Sequence, residues 1–445
     1  MILRSIHSRA DGSARLSEQP PLQAVSGGGG LPVLLVDTRR RFQTIEGFGG
    51  AFTEAAATVW QGLGAEAREA LLHDCFDPAS GHGYTLCRVH IGSCDFALGN
   101  YAHAERPGDF ALESFSIERD RRALLPFIQA AQRVAGRPLK LLASPWSPPA
   151  WMKTNGDMNH GGRLRPECRA AWAQCFVRFI RAYEAEGVPV WAVSVQNEPM
   201  AHQRWDSCLY SAEEERDFVR DHLGPALHGA GLGHVKIVIW DHNRDLMVER
   251  ASVVYADPEA SRYVWGTGFH WYGAEHFDHV QLVHDAWPDK HLLYTEGCQE
   301  GGPHLGSWEV GERYAHNLIH DLNRWTVGWI DWNLLLDERG GPNHVGNFCS
   351  APIHADTARG TLMHQSAYWV LGHFARFVRP GARRVLCVPS PEVESTAFVN
   401  PDESTVVVAT NRHHHAQHFA LRIDDAFWHC ELPGRSIATW VAAAR

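Results

Sequence analysis

Two things are missing from this sequence: long apolar runs and regularly spaced cysteines. No stretch approaches the ~20 consecutive apolar residues that a membrane-spanning helix requires, so no integral membrane segment is expected. The ten cysteines form no Cys-x-x-Cys pair, which argues against a zinc site and against a disulfide framework. We expect most of the cysteines to be reduced and buried.

The chain also lacks a secretory signal and an excess of positive charge. Its first residues, MILRSIHSRADGSARL, contain no apolar core of the kind that signal peptides carry. As written, the protein is therefore expected to be cytoplasmic, although an upstream start would hide an export signal. The net charge of −10 gives no sign of a nucleic-acid-binding surface. The 28 histidines are scattered, and the run His413–His415 fits a solvated loop better than a metal site.

What the sequence does contain is a series of apolar, strand-like segments that alternate with amphipathic ones. Segments of this kind are typical of strands covered on both faces of a parallel sheet. There are eight of them: GFGGAFT (47–53), YTLCRVHIG (84–92), LKLLASPW (139–146), VWAVSVQNE (190–198), VKIVIWD (235–241), VWGTGFHWY (264–272), HLLYTEG (291–297) and VGWIDWNLLL (327–336). Eight β/α repeats predict an α/β fold, a (β/α)8 TIM barrel with its site at the C-terminal strand ends.

Two of the intervening segments show clear helical signals. In residues 168–187 the apolar side chains recur on one helical stripe, and Gly187 follows where a C-terminal cap would lie. In residues 211–231 Ser211 is suited to cap the N-terminus, and acidic residues follow in the first turn.

The pattern changes from about residue 385 to short β-rich segments separated by turn residues. This indicates an antiparallel β-sandwich appended to the barrel, joined by the N-terminal segment LPVLLVDT (31–38). We therefore predict a flexible segment over 1–30, which includes the glycine run 26–30. Strands of the sandwich are predicted over 31–45, the barrel over 46–375 and the sandwich domain over 376–445.

Two glutamates, Glu198 and Glu296, close the fourth and seventh predicted strands. A pair of carboxylates at strand ends is the minimum apparatus for cutting a glycosidic bond, because one donates a proton while the other attacks the sugar or activates water. Glu198 would then be the proton donor, which requires surroundings that raise its pKa. Each residue also has an ordinary explanation: Asn-Glu-Pro makes a good helix-initiating turn, and Glu296 could cap the next helix.

Supporting polar residues occur at other strand ends. Asn197 can donate to a sugar 2-hydroxyl, and Asp95 can accept hydrogen bonds from two sugar hydroxyls. Arg88 could keep a carboxylate ionised or simply form a salt bridge beneath the barrel mouth. Tyr272 could donate to the nucleophile, whereas His270 lies in an aromatic segment where packing is the more common role.

Tryptophan is abundant near the same strand ends. For a single tryptophan, core packing is the ordinary explanation. A cluster that follows successive strands favours a stacking platform for sugar rings. The residues are Trp146, Trp151, Trp205, Trp271, Trp329 and Trp332.

Taken in order along the chain, these segments resemble glycoside hydrolase family 30, in its acid β-glucosidase (glucosylceramidase) branch. The matching text is EGFGGAFTEAAA (46–57), RVHIGSCDF (88–96), LLASPWSPPAWMKTNG (141–156), VWAVSVQNEP (190–199), HWY (270–272), TEGC (295–298), GWIDWNL (328–334), GGPNHVGNF (340–348) and LGHFARFV (371–378). The ordered set is far more specific than any single motif.

The resemblance implies that Glu198 is the acid/base and Glu296 the nucleophile of a retaining reaction that needs no cofactor or metal. It implies a −1 glucose subsite and a cysteine beside the nucleophile, and the expected substrate is a β-glucoside or glycolipid. These residues are Arg88, Asp95, Trp146, Asn197, Tyr272, Trp332, Asn347 and Cys298. Two loops that would contact the leaving group are shortened: 200–208, with Trp205 as an aromatic lip, and 299–308. The resemblance therefore supports glucose as the −1 sugar more strongly than it supports ceramide as the leaving group.

Three functions therefore remain open. The favoured one is a retaining β-glucosidase that acts on glucosylceramide or a related β-glucoside. A family-30 β-1,6-glucanase or β-xylosidase is the nearest alternative. A non-catalytic carbohydrate-binding protein belongs to a different class, and it is disfavoured because both glutamates are present.

Overall fold

The first strands of the chain belong to a sheet that the last strands of the chain complete. A computed structural model describes residues 2–444. The first three strands are β1 (Ile2–Arg9), β2 (Ser17–Gln23) and β3 (Val33–Thr44). β1 and β2 pair antiparallel.

The middle of the chain forms a closed barrel of eight parallel strands, as the sequence predicted. The strands follow one another around the barrel in chain order, and β11 closes it by pairing with β4. They are β4 (Gly47–Phe52), β5 (Leu86–Ile91), β6 (Lys140–Pro145), β7 (Val190–Ser194), β8 (Lys236–Asn243), β9 (Val264–His270), β10 (His291–Glu296) and β11 (Thr326–Asn333). Because every strand is covered by helices outside and side chains inside, nearly all of their residues are buried.

Helices cover the outside of the barrel. They are α1 (Glu54–Gly62), α2 (Ala65–Phe76), α3 (Leu124–Ala135), α4 (Arg169–Ala185), α5 (Ala212–Phe218), α6 (Gly224–Gly229), α7 (Met247–Tyr255), α8 (Pro258–Ser261), α9 (Phe277–Ala286), α10 (Trp308–Leu322) and α11 (Ser366–Ala375). A π-helical turn, Val219–Leu223, joins α5 to α6. Short 3-10 turns lie at Asp120–Arg122, Ala150–Met152, Pro166–Cys168 and Arg244–Leu246.

Both helical signals in the sequence are confirmed. The apolar stripe of α4 is buried against the barrel. Ser211 caps α5 in a reciprocal capping box, in which its hydroxyl accepts from the Glu214 N–H and the Glu214 carboxylate accepts from the Ser211 N–H.

The C-terminal strands complete a nine-stranded sheet that curls into the predicted sandwich. A small sheet comes first, formed by β12 (Leu336–Asp337), β13 (Ile353–Asp356) and β14 (Thr361–His364). The remaining strands are β15 (Arg383–Val388), β16 (Glu394–Val399), β17 (Thr405–Asn411), β18 (Gln417–Ile423), β19 (Ala426–Leu432) and β20 (Ser436–Ala442). The strand order is β19-β18-β3-β15-β16-β17-β20-β1-β2, and a Val25–Phe427 bridge brings the two edges together over an apolar core.

The prediction of a flexible segment over residues 1–30 was wrong for β1 and β2. β1 pairs with β20 without interruption from Leu3–Ala442 to Arg9–Ser436. Its buried residues include Ser5, His7 and Ser8, so the strand lacks an apolar pattern. The Ser8 hydroxyl bonds with Nε2 of His373 on α11 at 2.9 Å, a contact that sequence reading cannot reveal.

The barrel and the sandwich share a continuous apolar core. Phe374 of α11 packs in one buried cluster with Val406 and Ile437 of the sandwich. His373 reinforces this junction, because its Nδ1 lies 2.8 Å from the Thr439 hydroxyl. Over residues 2–444, no helix has the length and apolar character to cross a bilayer. All ten cysteines are free thiols, and all but Cys387 are buried.

Candidate active site

A pocket opens at the C-terminal ends of the barrel strands, where the sequence placed the site. Most of the predicted site residues line it. They are Asp95, Trp146, Asn197, Glu198, Trp205, Tyr272, Glu296, Cys298, Trp332 and Asn347. Arg88 and His270 have no exposed surface and contact the two glutamates from within the barrel. Three tryptophans of the predicted stacking platform do not line the pocket: Trp151, Trp271 and Trp329.

The backbone turns sharply at Glu198, just beyond β7. Its φ of 47° lies in the left-handed region, which is uncommon for residues other than glycine. Two hydrogen bonds hold the turn, from the Glu198 N–H to the Asp241 carbonyl at 3.0 Å and from the Asn197 N–H to the Pro145 carbonyl at 2.8 Å. Asn-Glu-Pro does not start a helix here, and the Glu198 side chain lines the pocket.

Arg88 links both glutamate-bearing strand ends. Its Nη1 donates to Glu296 Oε2 at 2.5 Å, and its Nη2 donates to Asn197 Oδ1 at 2.8 Å. The second bond occupies the amide oxygen of Asn197, so its NH2 group remains available as a donor. Arg88 is also part of a buried ion pair, so both explanations offered from the sequence apply.

Asp241 is a central residue that sequence reading missed. Its Oδ2 accepts from Arg88 at 2.7 Å and from the Ser194 hydroxyl at 2.6 Å, while Oδ1 lies 3.0 Å from His270 Nε2. Although burial would raise the pKa of Asp241, Arg88 and His270 hold it well below its usual range. An aspartate that ends the fifth predicted strand, VKIVIWD, was the available signal.

His270 connects Asp241 to Glu198 and is more than a packed ring. Its Nδ1 lies 3.1 Å from Glu198 Oε1. Burial alone would lower the pKa of His270, but the charges of Glu296 and Asp241 and the bond to Glu198 raise it to about 9. The ring is therefore an imidazolium that donates from both nitrogens at neutral pH.

The two glutamates approach each other closely. One carboxylate oxygen of each, together with a ring nitrogen of His270, lie within 4.8 Å of one another. Three such groups could in principle hold a metal ion. Here both nitrogens of His270 are already used in hydrogen bonds to carboxylates, which leaves no lone pair for a metal.

Different partners surround the two carboxylates. Besides Arg88, Glu296 accepts from the Tyr272 hydroxyl at 3.0 Å. Burial raises the pKa of Glu296, and the charges of His270 and Arg88 oppose that rise.

The expectation that the surroundings of Glu198 raise its pKa was wrong for the free protein. Burial would do so, but the neighbouring His242 and His270, with Arg88, bring the pKa of Glu198 below its usual value. The Nε2 of His242 lies 3.9 Å from Glu198 Oε1, and the sequence analysis had not singled this histidine out.

Asp95 also lines the pocket. Asn347 and Asn343 donate to its Oδ2 at 3.0 and 3.1 Å. Burial nevertheless raises the pKa of Asp95 to about 7. A carboxyl group poised between its two forms can accept or donate a hydrogen bond with a hydroxyl-rich ligand.

Aromatic rings form another wall of the pocket. Trp146 and Trp332 stack with centroids 5.2 Å apart, and the Arg88 guanidinium lies 4.7 Å from the Trp146 centroid. Trp205 packs at the edge of this cluster. The Cys298 thiol lies 3.5 Å from the Tyr272 hydroxyl, beside the group that contacts Glu296.

Several other lining residues were missed by sequence reading. They are Gln203, His242, Asn243, Glu300 and Cys349. All of them follow the barrel strands in loops or at strand ends, where residue type alone does not separate a pocket wall from ordinary surface.

Comparisons with known proteins agree with this architecture. Residues 45–378 match the glycosyl hydrolase family 30 TIM-barrel domain, and residues 381–440 match the glycosyl hydrolase family 30 beta sandwich domain. Lysosomal acid glucosylceramidase of Mus musculus is 38% identical over 443 residues, which cover 94% of this chain and 85% of that protein.

Two further relatives extend the comparison. The crystal structure of SrfJ from Salmonella typhimurium superposes with a TM-score of 0.96 at 39% identity, over 100% of both chains. An endo-1,6-beta-D-glucanase of Neurospora crassa is 28% identical over 424 residues, 91% of this chain and 86% of that one. The matches to both domains over most of the sequence show that this chain is a glycoside hydrolase and belongs to glycosyl hydrolase family 30.

Proposed function

We propose that this protein is a retaining β-glycosidase that hydrolyses a terminal β-glucosyl bond, in glucosylceramide or a related β-glucoside. The approach of Glu198 and Glu296 to within 4.8 Å is the observation that carries the proposal. Retaining enzymes hold their two carboxyl groups about 5–5.5 Å apart, whereas inverting enzymes leave ~6.5–9.5 Å for a water molecule.

Glu296 acts as the nucleophile. Arg88 and Tyr272 donate to its two different oxygens, an arrangement that orients the carboxylate and stabilises its anionic form. In the first step a Glu296 oxygen bonds to the anomeric carbon while the glycosidic C–O bond breaks. The electron pair of that bond leaves with the glycosidic oxygen.

Glu198 supplies the proton that the departing oxygen takes, and becomes a carboxylate. In the second step it removes a proton from water, whose oxygen attacks the anomeric carbon and releases Glu296. While both groups are free, the charge of Glu198 adds to the burial that raises the pKa of Glu296, and the charge of Glu296 repels that of Glu198 in return. Once Glu296 is esterified that charge is gone, and the histidines beside Glu198 favour its carboxylate form, as the second step requires.

The remaining residues of the pocket suit a −1 sugar. The free NH2 group of Asn197 is available to the 2-hydroxyl, where a hydrogen bond strengthens in the transition state. Asp95 can bind a pair of hydroxyls, and the Trp146–Trp332 pair offers an apolar face. The mouse relative named as a glucosylceramidase supports glucose at this position.

A β-1,6-glucanase is the second candidate. It is favoured by the Neurospora crassa relative, which is named as an endo-1,6-beta-D-glucanase and matches most of the chain. Release of glucose from β-glucosylceramide, compared with cleavage of β-1,6-linked glucan, separates the two. A protein that cleaves the glucan and ignores glucosylceramide would overturn the favoured substrate.

The proposed nucleophile can be tested by covalent trapping. A mechanism-based β-glucosyl epoxide should label Glu296, because this carboxylate attacks the anomeric carbon, and peptide mapping locates the adduct. Glu198→Gln is a matched control, since it should lose activity on substrates with poor leaving groups yet retain it on activated aryl glucosides. Label on any other residue, or none, would contradict the assignment of Glu296, and equal loss on both substrates would contradict that of Glu198.

A further inference from the structure

The segment that follows the proposed nucleophile is seated on buried aromatic side chains. A Cβ on Gly297 would collide with the Tyr294 hydroxyl and lie 2.9 Å from Cε2 of Trp271. The Trp271 indole N–H donates to the Cys298 carbonyl at 3.1 Å. Because Gly297 adjoins Glu296 in the chain, a group that holds this backbone also helps to fix the direction of the Glu296 side chain.

The Gly297 carbonyl ties this segment to its neighbours in the barrel. The Trp332 backbone N–H of β11 donates to it at 3.0 Å. The hydroxyl of Tyr314, on α10, lies 3.4 Å from the same carbonyl oxygen and 2.7 Å from Oδ1 of Asp331. All four residues are buried, so these contacts form away from bulk water.

The Tyr314 hydroxyl cannot donate to both of these oxygens, because it carries a single hydrogen. If Asp331 is a carboxylate, Tyr314 donates to it and the Gly297 carbonyl loses this donor. If Asp331 is protonated, it can donate to the Tyr314 oxygen, and Tyr314 then donates to Gly297. The proton on Asp331 therefore decides in which direction the Tyr314 hydroxyl donates.

The surroundings of Asp331 favour its protonated form. Its other oxygen, Oδ2, is buried and has no hydrogen-bond partner within residues 2–444. Burying an unpaired oxygen costs far more on a carboxylate than on a neutral acid. Burial raises the pKa of Asp331 to about 8; the Tyr314 hydroxyl opposes the rise, and the charge of Glu296 adds to it. Tyr84 and Tyr294 also interact with Asp331, and both stay neutral because burial raises the pKa of each well above the usual tyrosine range.

We propose that Asp331 and Tyr314 are positioning residues for the nucleophile: protonated Asp331 donates to Tyr314, and Tyr314 holds the Gly297 carbonyl. Neither side chain is among those that line the pocket, so both act through the backbone beside Glu296. At alkaline pH, ionised Asp331 draws the Tyr314 hydroxyl to itself and Gly297 is released. The inference rests on the proposed function, in which Glu296 attacks the sugar.

The pH profile of the first chemical step tests this pair. The substrate is a dinitrophenyl β-glucoside, whose leaving group departs without a proton from Glu198. The kcat/KM of the full chain should decline above about pH 8, as Asp331 ionises. In Asp331→Asn the amide NH2 can donate to Tyr314 at every pH, so most of the turnover at neutral pH should remain. The decline should then move up by about one pH unit, to where His270 loses its proton at about 9.

Removal of the tyrosine hydroxyl gives the second measurement. Tyr314→Phe should lower kcat/KM about tenfold at neutral pH and abolish the decline near pH 8, because no hydroxyl remains to hold Gly297 or to be redirected. Tyr255→Phe is the matched control: its hydroxyl, on α7, bonds with Thr267 Oγ1 at 2.8 Å away from the pocket, and kcat/KM should not change.

Two results contradict the inference alone: an Asp331→Asn profile identical to that of the unaltered chain, or full activity in Tyr314→Phe. If Tyr314→Phe does not fold, the Asp331→Asn profile decides by itself. Failure of the unaltered chain to hydrolyse any aryl β-glucoside contradicts the proposed function itself.

Discussion

At the scale of the single residue, carboxylates enclose His270. Asp241 accepts from one ring nitrogen and Glu198 from the other, and Glu296 lies close by. These partners raise the pKa of His270 to about 9. Between its usual value of 6.5 and about pH 9, the folded protein therefore binds a proton at His270 that the unfolded chain does not.

Stability should consequently fall as the pH rises through this window. The contribution of His270 is fully present below about pH 6.5 and is lost by about pH 9, and it is on the order of 3 kcal/mol. His270→Gln should flatten the dependence of the free energy of unfolding on pH in this range, as measured by urea unfolding. His415→Gln, in the exposed loop, is the control. A slope unchanged by His270→Gln would contradict the charge assignment.

Several residues of the site could be predicted singly, but their network could not. From their positions at strand ends, Arg88 and Tyr272 were identified as possible partners of the glutamates, and Asn197 as a possible donor to the sugar. The Arg88 guanidinium bonds to Glu296, Asn197 and Asp241 at once, because the three strand ends that carry them meet in space. Residues this far apart in sequence give no sign of that meeting. The lowered pKa of Glu198 likewise depends on His242, which is distant in sequence.

At the scale of the element, close approach of the barrel strands depends on small residues. A Cβ on Gly49 of β4 would collide with the carbonyl oxygen of Leu86 on β5 and lie 2.9 Å from Cys87 Sγ. The Leu86 carbonyl belongs to the backbone of β5 and cannot move without disturbing the pairing of the strands. Gly49 therefore reflects its neighbour and not a need for unusual backbone angles, whereas Gly47 at the start of β4 also has a positive φ of 146°.

We expect Gly49→Ala to lower the free energy of unfolding by about 3 kcal/mol or more, because overpacking against backbone cannot be relieved by a rotamer change. Gly62→Ala is the matched control, since no atom lies within 4 Å of its would-be Cβ at the end of α1. Chemical unfolding of both variants measures the difference. Equal stability of the two variants would show that β4 and β5 have more room than their spacing indicates.

Elements with a clear local period were predictable, and those that depend on distant partners were not. Apolar runs or stripes in the sequence predicted all eight barrel strands and helix α4. β1 did not, because it buries Ser5, His7 and Ser8. Ser8 is acceptable in the core because His373 of α11 bonds with its hydroxyl, and the Ser5 hydroxyl bonds with Nε2 of His7 within β1 itself.

At the scale of the whole molecule, the sandwich covers one side of the barrel. Helix α11 presents Phe374 to a cluster that includes Val406 and Ile437, so apolar contacts join the two domains. His373 adds hydrogen bonds to Ser8 and Thr439, one from each end of the chain.

Deletion of residues 385–445 should therefore yield insoluble protein. The deletion exposes the apolar face of α11 and removes the partners of β1 and β3. The soluble fraction after expression, compared with that of the full chain under the same conditions, measures the effect. A soluble barrel fragment that still hydrolyses an aryl β-glucoside would show instead that the sandwich is an independent module.

The pairing of β1 with β20 also sets an order of events during synthesis. Arg9 leaves the ribosome on the order of 400 residues before Ser436, its partner in the sheet. At ~5–20 residues per second, the first strands wait roughly 20–80 s with an unpaired edge. The barrel can assemble in that interval, but the sandwich cannot. The polar residues of β1, which hid it from sequence reading, also make it a poor template for association with other nascent chains.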